Sequence, residues 1–421
     1  MVMFRFNKFT IINILTMLII LWLNNGIGSY LFVRIPEPIK LLLIFSWFII
    51  AFLLKRSFAK DLLVKNYLLL IFLIYLLIVK FSLFSTDYDN YILKTSLFLF
   101  TFTAIMTYYF DDERIKKNIF KLLLLDYFLI SLKTIYMIVK IPGISRYLSM
   151  SEENIQKILN ASSVEFLGVG NYAYAYSLVI VATFFLYSYF EHKNLAKLII
   201  YMYIFFVLLK MEFTMSIIFL LVFSFIFLIT KMPKKNMKDI FLLYLLIAVG
   251  SILLISFKSI LEFITLNFDE KIGVKLGQLL NFLNGKDISG TDLEERMSYY
   301  LLSIRTFIKN PIMGSVLNQN NIGEHSTWLD FLGRYGMFSL PIFLFLIKQI
   351  KNLVNSFFSY RTYIYICYIY FFILGIFNTV YISRLFIVVI VFIPCSIIWL
   401  GGKNENKNLL DSKYNDFRRR N

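Results

Sequence analysis

Histidine occurs twice in the 421 residues, as His192 and His325, and the second lies in the stretch GEHSTWLDFLGRYG, residues 323–336. A neutral imidazole takes up a proton near physiological pH, so His325 suits a general base for a hydroxyl nucleophile. A hydrogen-bonded histidine at a helix end is the plainer reading of the same residue. Arginine offers the complementary chemistry, a permanently charged planar fork that grips phosphate oxygens. Outside short basic clusters the chain has Arg34, Arg146, Arg296, Arg305, Arg334 and Arg384. Two of these in separate loops suffice to clamp one diphosphate. Glu295 and Glu324 are substitute bases, each equally readable as a solvated or salt-bridged surface acid. No His pair stands at metal spacing, no Gly-rich loop precedes Lys-Ser or Lys-Thr, and no nucleophile elbow occurs. Neither a metal nor another cofactor is expected.

The elements that must position these residues are membrane helices. Hydrophobic residues make up 59% of the chain and aromatic ones 19%, and the mean hydropathy is +0.72, above the usage of soluble domains. The net charge of +17 recurs in short clusters between apolar runs, so topology explains it and nucleic acid is not an expected partner. The aromatic excess reads as lipid-facing and interfacial packing. Cys367 and Cys395 both fall in apolar runs, as buried packing residues and not as a disulfide framework.

The expected fold class is an all-α integral membrane protein with about 12 transmembrane helices and two enlarged outer loops carrying short amphipathic helices. The helices are expected at about 9–30, 38–54, 66–84, 91–110, 119–140, 171–190, 195–210, 212–230, 239–256, 327–347, 361–377 and 380–400. Residues 1–256 thus hold helices one to nine, including the outer loop 141–170. A large extracytoplasmic loop follows at 257–326, helices ten to twelve at 327–400 and a basic cytoplasmic tail at 401–421. Alternate connections carry Lys and Arg, which puts both termini in the cytoplasm and the first segment in the role of a retained anchor. The turn Lys210-Met211-Glu212 sets the side of everything after it. His192 then lies inside and His325 outside.

In the large loop, Thr291 with Glu294 three residues on reads as a helix start, and Asn310-Pro311 as its stop. Met297, Leu301, Ile304 and Ile308 form one apolar stripe, so this helix should lie along the membrane or pack on the bundle. Arg305 sits beside that stripe, where it can snorkel; Arg296 points to the polar side, toward solvent or an anion. A shorter helix is expected at 151–160, with Arg146 just upstream. Gly170 and Asn171 open the sixth helix, either lining a cleft or serving tight helix entry. Asp330 and Arg334, four apart, can pair. Lys94, Asp126 and Lys133 are intramembrane charges, readable as a buried ion pair or a relay.

These residues resemble the O-antigen ligase and Wzy-type O-antigen polymerase superfamily of bacterial surface-polysaccharide assembly. The ligase motif is His, then Asn, Ser or Gln, nine free positions, Gly, two more, then Gly, Thr or Tyr. Here His325-Ser326, Gly336 and Ser339 stand at those places, and only Ser339 departs. Glu295-Arg296 through Asn310-Pro311 and Gly314 is similar to the family's Arg, amphipathic helix, Asn-Pro and Gly. The motif likeness covers about 291–347; elsewhere it is of topology alone. A polymerase pattern of Arg followed eleven places later by Gly fails, since Lys157, Phe307 and Val316 stand there after Arg146, Arg296 and Arg305. The resemblance implies a plasma (inner) membrane glycosyltransferase with an undecaprenyl-diphosphate-linked oligosaccharide donor. It further implies diphosphate binding by Arg296 with Arg146 or Arg305, and an acceptor hydroxyl oriented or deprotonated by His325. Glu295, Glu324 and Asn171 remain base or acceptor contacts. Membrane lipid, a chain-length regulator and a flippase of the same pathway are the implied partners. Polymerase is the leading expectation, ligase its rival, and a lipid-linked oligosaccharide flippase or transporter the third.

Overall fold

Helices form wherever the apolar runs are long, and they stop where a capping side chain or a left-handed residue ends the run. The computed structural model describes residues 8–82, 84–149, 166–231, 277–278, 280–281, 291–317 and 322–401. The helices expected at 151–160 and 239–256, and the tail, fall outside the described residues or at their edge. All regular structure among the described residues is helical. Seven helices there are long and apolar enough to cross a membrane, and three shorter apolar ones accompany them.

One unit comprises Met1–Leu221, Phe338–Gly375 and Thr379–Asn421. Its helices run α1 (Lys8–Leu23), α2 (Ser29–Phe32), α3 (Glu37–Leu54), α4 (Phe58–Lys80), α5 (Asp87–Tyr108), α6 (Glu113–Lys140), α7 (Ile144–Tyr147), α8 (Tyr172–His192) and α9 (Leu195–Met211). Then α10 (Thr214–Lys231) crosses the unit boundary. The turn between α9 and α10 is present, with Glu212 left-handed at φ 60°. Caps follow the sequence: Thr86 and Asp89 form a reciprocal capping box on α5, and the Asp112 side chain accepts from Ile115 N on α6. Buried Trp47 shows how the core satisfies its polar atoms. Its ring packs against Phe58 and Tyr108, and its indole N–H donates to Thr16 Oγ1 at 2.8 Å.

The first helix is shorter than expected, because α1 ends at Leu23 and a turn at Asn24–Gly28 separates it from α2. Asn25 is left-handed at φ 50°, and any Cβ on Gly26 would collide with Asp126. Asp126 braces this break by accepting from Asn24 Nδ2 at 2.6 Å and Ile27 N at 3.0 Å. Arg384, only 4% exposed, donates to the carbonyls of Asn24 and Asn25. Of the other two intramembrane charges, Lys133 donates to Leu167 O and lies over the Tyr30 ring, and Lys94 lies over Phe98.

After the second unit come α13 (Leu340–Ser356), α14 (Arg361–Phe377) and α15, an apolar helix over Ser383–Trp399. The middle of α15, Ile387–Phe392, is a π-helix. Pro394 has no amide hydrogen to continue the α ladder. Tyr368 OH donates to Val389 O at 3.2 Å and meets a carbonyl of that wide turn. Both cysteines are buried and free.

The second unit, Val222–Met337 with Ile376–Asn378, contains α11 (Asp292–Lys309) and α12 (Thr327–Tyr335) packed on one another. The tenth expected helix is thus interrupted. At Gly336–Ser339 the chain tightens into a 3-10 turn, with Gly336 at φ +58°.

Candidate functional site

The second unit is built around α11. Thr291 caps it by accepting from Glu294 N at 3.3 Å, and Asn310 ends it. Helical spacing puts Glu295, Tyr299 and Ser303 in one row, each a turn apart. That row carries the loop that bears His325.

The loop is fastened at both ends. Gly323 N donates to Ser303 Oγ at 2.9 Å, while Ser326 N donates to Asp330 Oδ2 at 2.9 Å. Ser303 Oγ in turn donates to Asp330 Oδ1 at 2.6 Å, and the Ser326 side chain caps α12 through Leu329 N. Asp330 is thereby engaged with Ser303 and Ser326. Arg334, expected to pair with it, donates to Ser315 O and Oγ at 3.2 and 3.3 Å. The close packing needs glycines. A Cβ on Gly323 would strike Tyr299 O, and one on Gly333 would lie 2.8 Å from Ser303 O. Gly314 and Gly336 also have positive φ, and their Cβ positions are occupied by the carbonyls of Arg334 and Ile312. These four glycines around His325 are thus explained by backbone approach.

His325 itself is exposed on one side and lies against Tyr299 on the other, with ring centroids 4.6 Å apart at 31°. Tyr299 OH donates to Glu295 Oε1 at 2.6 Å, which holds its phenol proton more firmly than usual. Desolvation first, and the Arg296 cation second, lower the proton affinity of His325, against the opposing pull of Glu295 and Glu324. The imidazole is therefore biased toward its neutral form. Tyr300 OH donates to Phe377 O at 2.8 Å; burial raises its pKa and the neighbouring Arg296 works against that rise. Glu324 is exposed and left-handed at φ 59°, immediately before the histidine.

His325, Arg296, Glu295 and Glu324 are accordingly brought into electrostatic contact. Arg305 is not part of that group. It stands nine residues beyond Arg296, about 13.5 Å along the axis and half a revolution around it. Arg146 is a half-exposed residue of α7 in the first unit, and Asn171 caps α8 by accepting from Tyr174 N at 3.4 Å. The residues that sequence reasoning missed are Tyr299, Ser303 and Asp330 as partners of the loop. The signal for Tyr299 and Ser303 was the i, i+4, i+8 row from Glu295, which the more obvious apolar stripe overshadowed.

Comparison with protein-family models and with curated proteins finds no match to this chain. The site is read from its chemistry: an exposed imidazole biased to neutrality, a guanidinium beside it and two carboxylates around them. That set can receive a proton and bind an anion. The apolar stripe of α11 is not used for packing, since Leu301, Ile304 and Ile308 are exposed while Ser303 and Thr306 are buried. The buried face of this helix is polar and small because the partner backbone comes so close.

Proposed function

We propose that the chain is a polysaccharide polymerase, a glycosyltransferase that moves an undecaprenyl-diphosphate-linked glycan onto a hydroxyl of a lipid-linked acceptor at the outer face of the plasma membrane. In this reading about twelve helices span the membrane with both termini in the cytoplasm. The observation that carries it is the pairing of a neutral-biased His325 with the Arg296 cation on an exposed loop. His325 receives the acceptor proton as the hydroxyl oxygen attacks the anomeric carbon. Arg296 stabilises the diphosphate that leaves with the bonding electrons. Arg146 is a further candidate for the diphosphate, whereas Arg305 suits the interface better. The ligase reading shares this chemistry and differs in the acceptor. The transporter reading draws on the interrupted α1 with Asp126 and Arg384 at the break, a feature of helices that line transport sites.

The test is to give the purified protein lipid-linked repeat units alone. Ladders of longer lipid-linked chains are expected. Product only after addition of a lipid A core acceptor would make it the ligase, and movement across vesicles without new bonds would make it a transporter.

A further inference from the structure

A second site lies in the first unit, at the end of the bundle where α4 and α6 begin and α5 and α13 end. There a cavity of about 390 Å³ opens between five helices, within the size range of small-molecule sites. Its walls are regular helix faces. Thr103, Met106 and Thr107 come from one face of α5, with Phe110 just past its end, and Gln349, Asn352 and Ser356 from one face of α13. Ile390, Pro394 and Ile398 of α15 give it an apolar wall.

Its chemistry is specific. Asn66 of α4 is fully buried in the lining; its amide N–H donates to Leu62 O at 3.1 Å, and its carbonyl oxygen has no partner. A buried acceptor of this kind costs stability until a donor meets it. Lys116, only 6% exposed, donates to Phe110 O, and Lys65 is half-buried. Their ammonium groups lie 5.4 and 3.8 Å from the centre of the Phe110 ring. Asp111 and Glu113 line the same cavity and are exposed at its mouth. Two cations and two anions balance.

We propose that this cavity binds an aminoalkyl phosphate, the zwitterionic headgroup chemistry of phosphatidylethanolamine. The phosphate oxygens accept from Lys65 and Lys116. The ammonium donates to Asn66 Oδ1 and faces the carboxylates, and the apolar wall takes the adjoining carbons. Inorganic phosphate lacks the cation that faces the carboxylates, a polyamine lacks the acceptor, and a phosphoglycerol headgroup adds net negative charge to a lining already balanced. This site uses none of the residues proposed for sugar transfer.

The experiment is native mass spectrometry of the full-length protein, delipidated and re-equilibrated in micelles with equimolar phosphatidylethanolamine and phosphatidylglycerol. Phosphatidylethanolamine should be retained about tenfold over its competitor, equivalent to about 1.4 kcal/mol. Glu113→Gln and Lys65→Gln, both at accessible positions, should each cut that preference about fivefold with unchanged melting. Asn66→Leu tests the buried acceptor separately. Displacement of the lipid by free O-phosphoethanolamine would assign the same chemistry to a soluble source, and persistence of the lipid would assign it to the membrane. Equal retention of the two lipids, or a preference unaffected by both Glu113→Gln and Lys65→Gln, would overturn the proposal.

Discussion

Ser303 Oγ donates a 2.6 Å hydrogen bond to Asp330 across 27 positions of sequence, and both side chains are buried. Through Gly323 on one side and Ser326 on the other, this pair holds the loop that presents His325. Asp330→Ala strips the Ser303 hydroxyl and the Ser326 and Glu324 amides of their acceptor and should cost about 2 kcal/mol. Melting in micelles should fall accordingly, and sugar transfer should drop with it. Unchanged melting would mean that the loop is held by something else.

Gly336 and Gly314 make a sharper test. Gly336→Ala combines a φ of +58° with a Cβ 2.5 Å from Ile312 O, so the backbone must move. A loss of about 2 kcal/mol or more is expected. Circular dichroism melting of Gly336→Ala and Gly314→Ala checks it, and wild-type melting in both would contradict the close approach.

The proton affinity of His325 is lowered, so transfer that needs the neutral imidazole persists below pH 6.5 and fades as the lowered pKa is crossed from above. Arg296→Ala removes a cause of that lowering and should move the acid limb of the rate profile upward. Glu295→Gln removes a cause that raises it and should move the limb downward. The profile shape is the measurement, since Arg296→Ala should also reduce the rate. Shifts in the same direction would exclude His325 as the titrating group, and normal transfer by His325→Ala would remove it from the mechanism.

In the first unit, Arg384→Leu leaves the carbonyls of Asn24 and Asn25 without their donor and should destabilise by about 3 kcal/mol. Thermal melting in micelles reads this directly. A variant as stable as the parent would show that the break after α1 does not depend on the guanidinium.

Asn171→Ala should cost about 1 kcal/mol through the lost cap on α8 and leave transfer per folded molecule intact. A selective loss of transfer with normal melting would return Asn171 to the site.

The sequence made α11 legible because both of its ends are written in capping chemistry, Thr291 and Glu294 at one and Asn310-Pro311 at the other. The turn at Glu212 was legible through a short polar interruption. The break at Asn24–Gly28 was hidden because the apolar pattern continues across it, and what stops α1 is Asp126 and Arg384, over a hundred residues away. The face by which α11 packs was hidden for a related reason. Periodicity identifies apolar stripes, but the partner backbone approaches over Ser303, and a close approach selects small residues instead of apolar ones. The π turn of α15 depends on a proline whose effect on the helix is geometric.

The seat of His325 is made largely of main chain, with Gly323 against Tyr299, Gly333 against Ser303 and Gly336 against Ile312. A contact of this kind has no side chain that can shrink or rotate to accommodate a change across it. Drift along the exposed apolar stripe of α11, Leu301, Ile304 and Ile308, can therefore be extensive without disturbing the histidine, while a single added methyl at the seat has no compensating partner. Variation in this protein should be wide along that stripe and nearly forbidden at the seat.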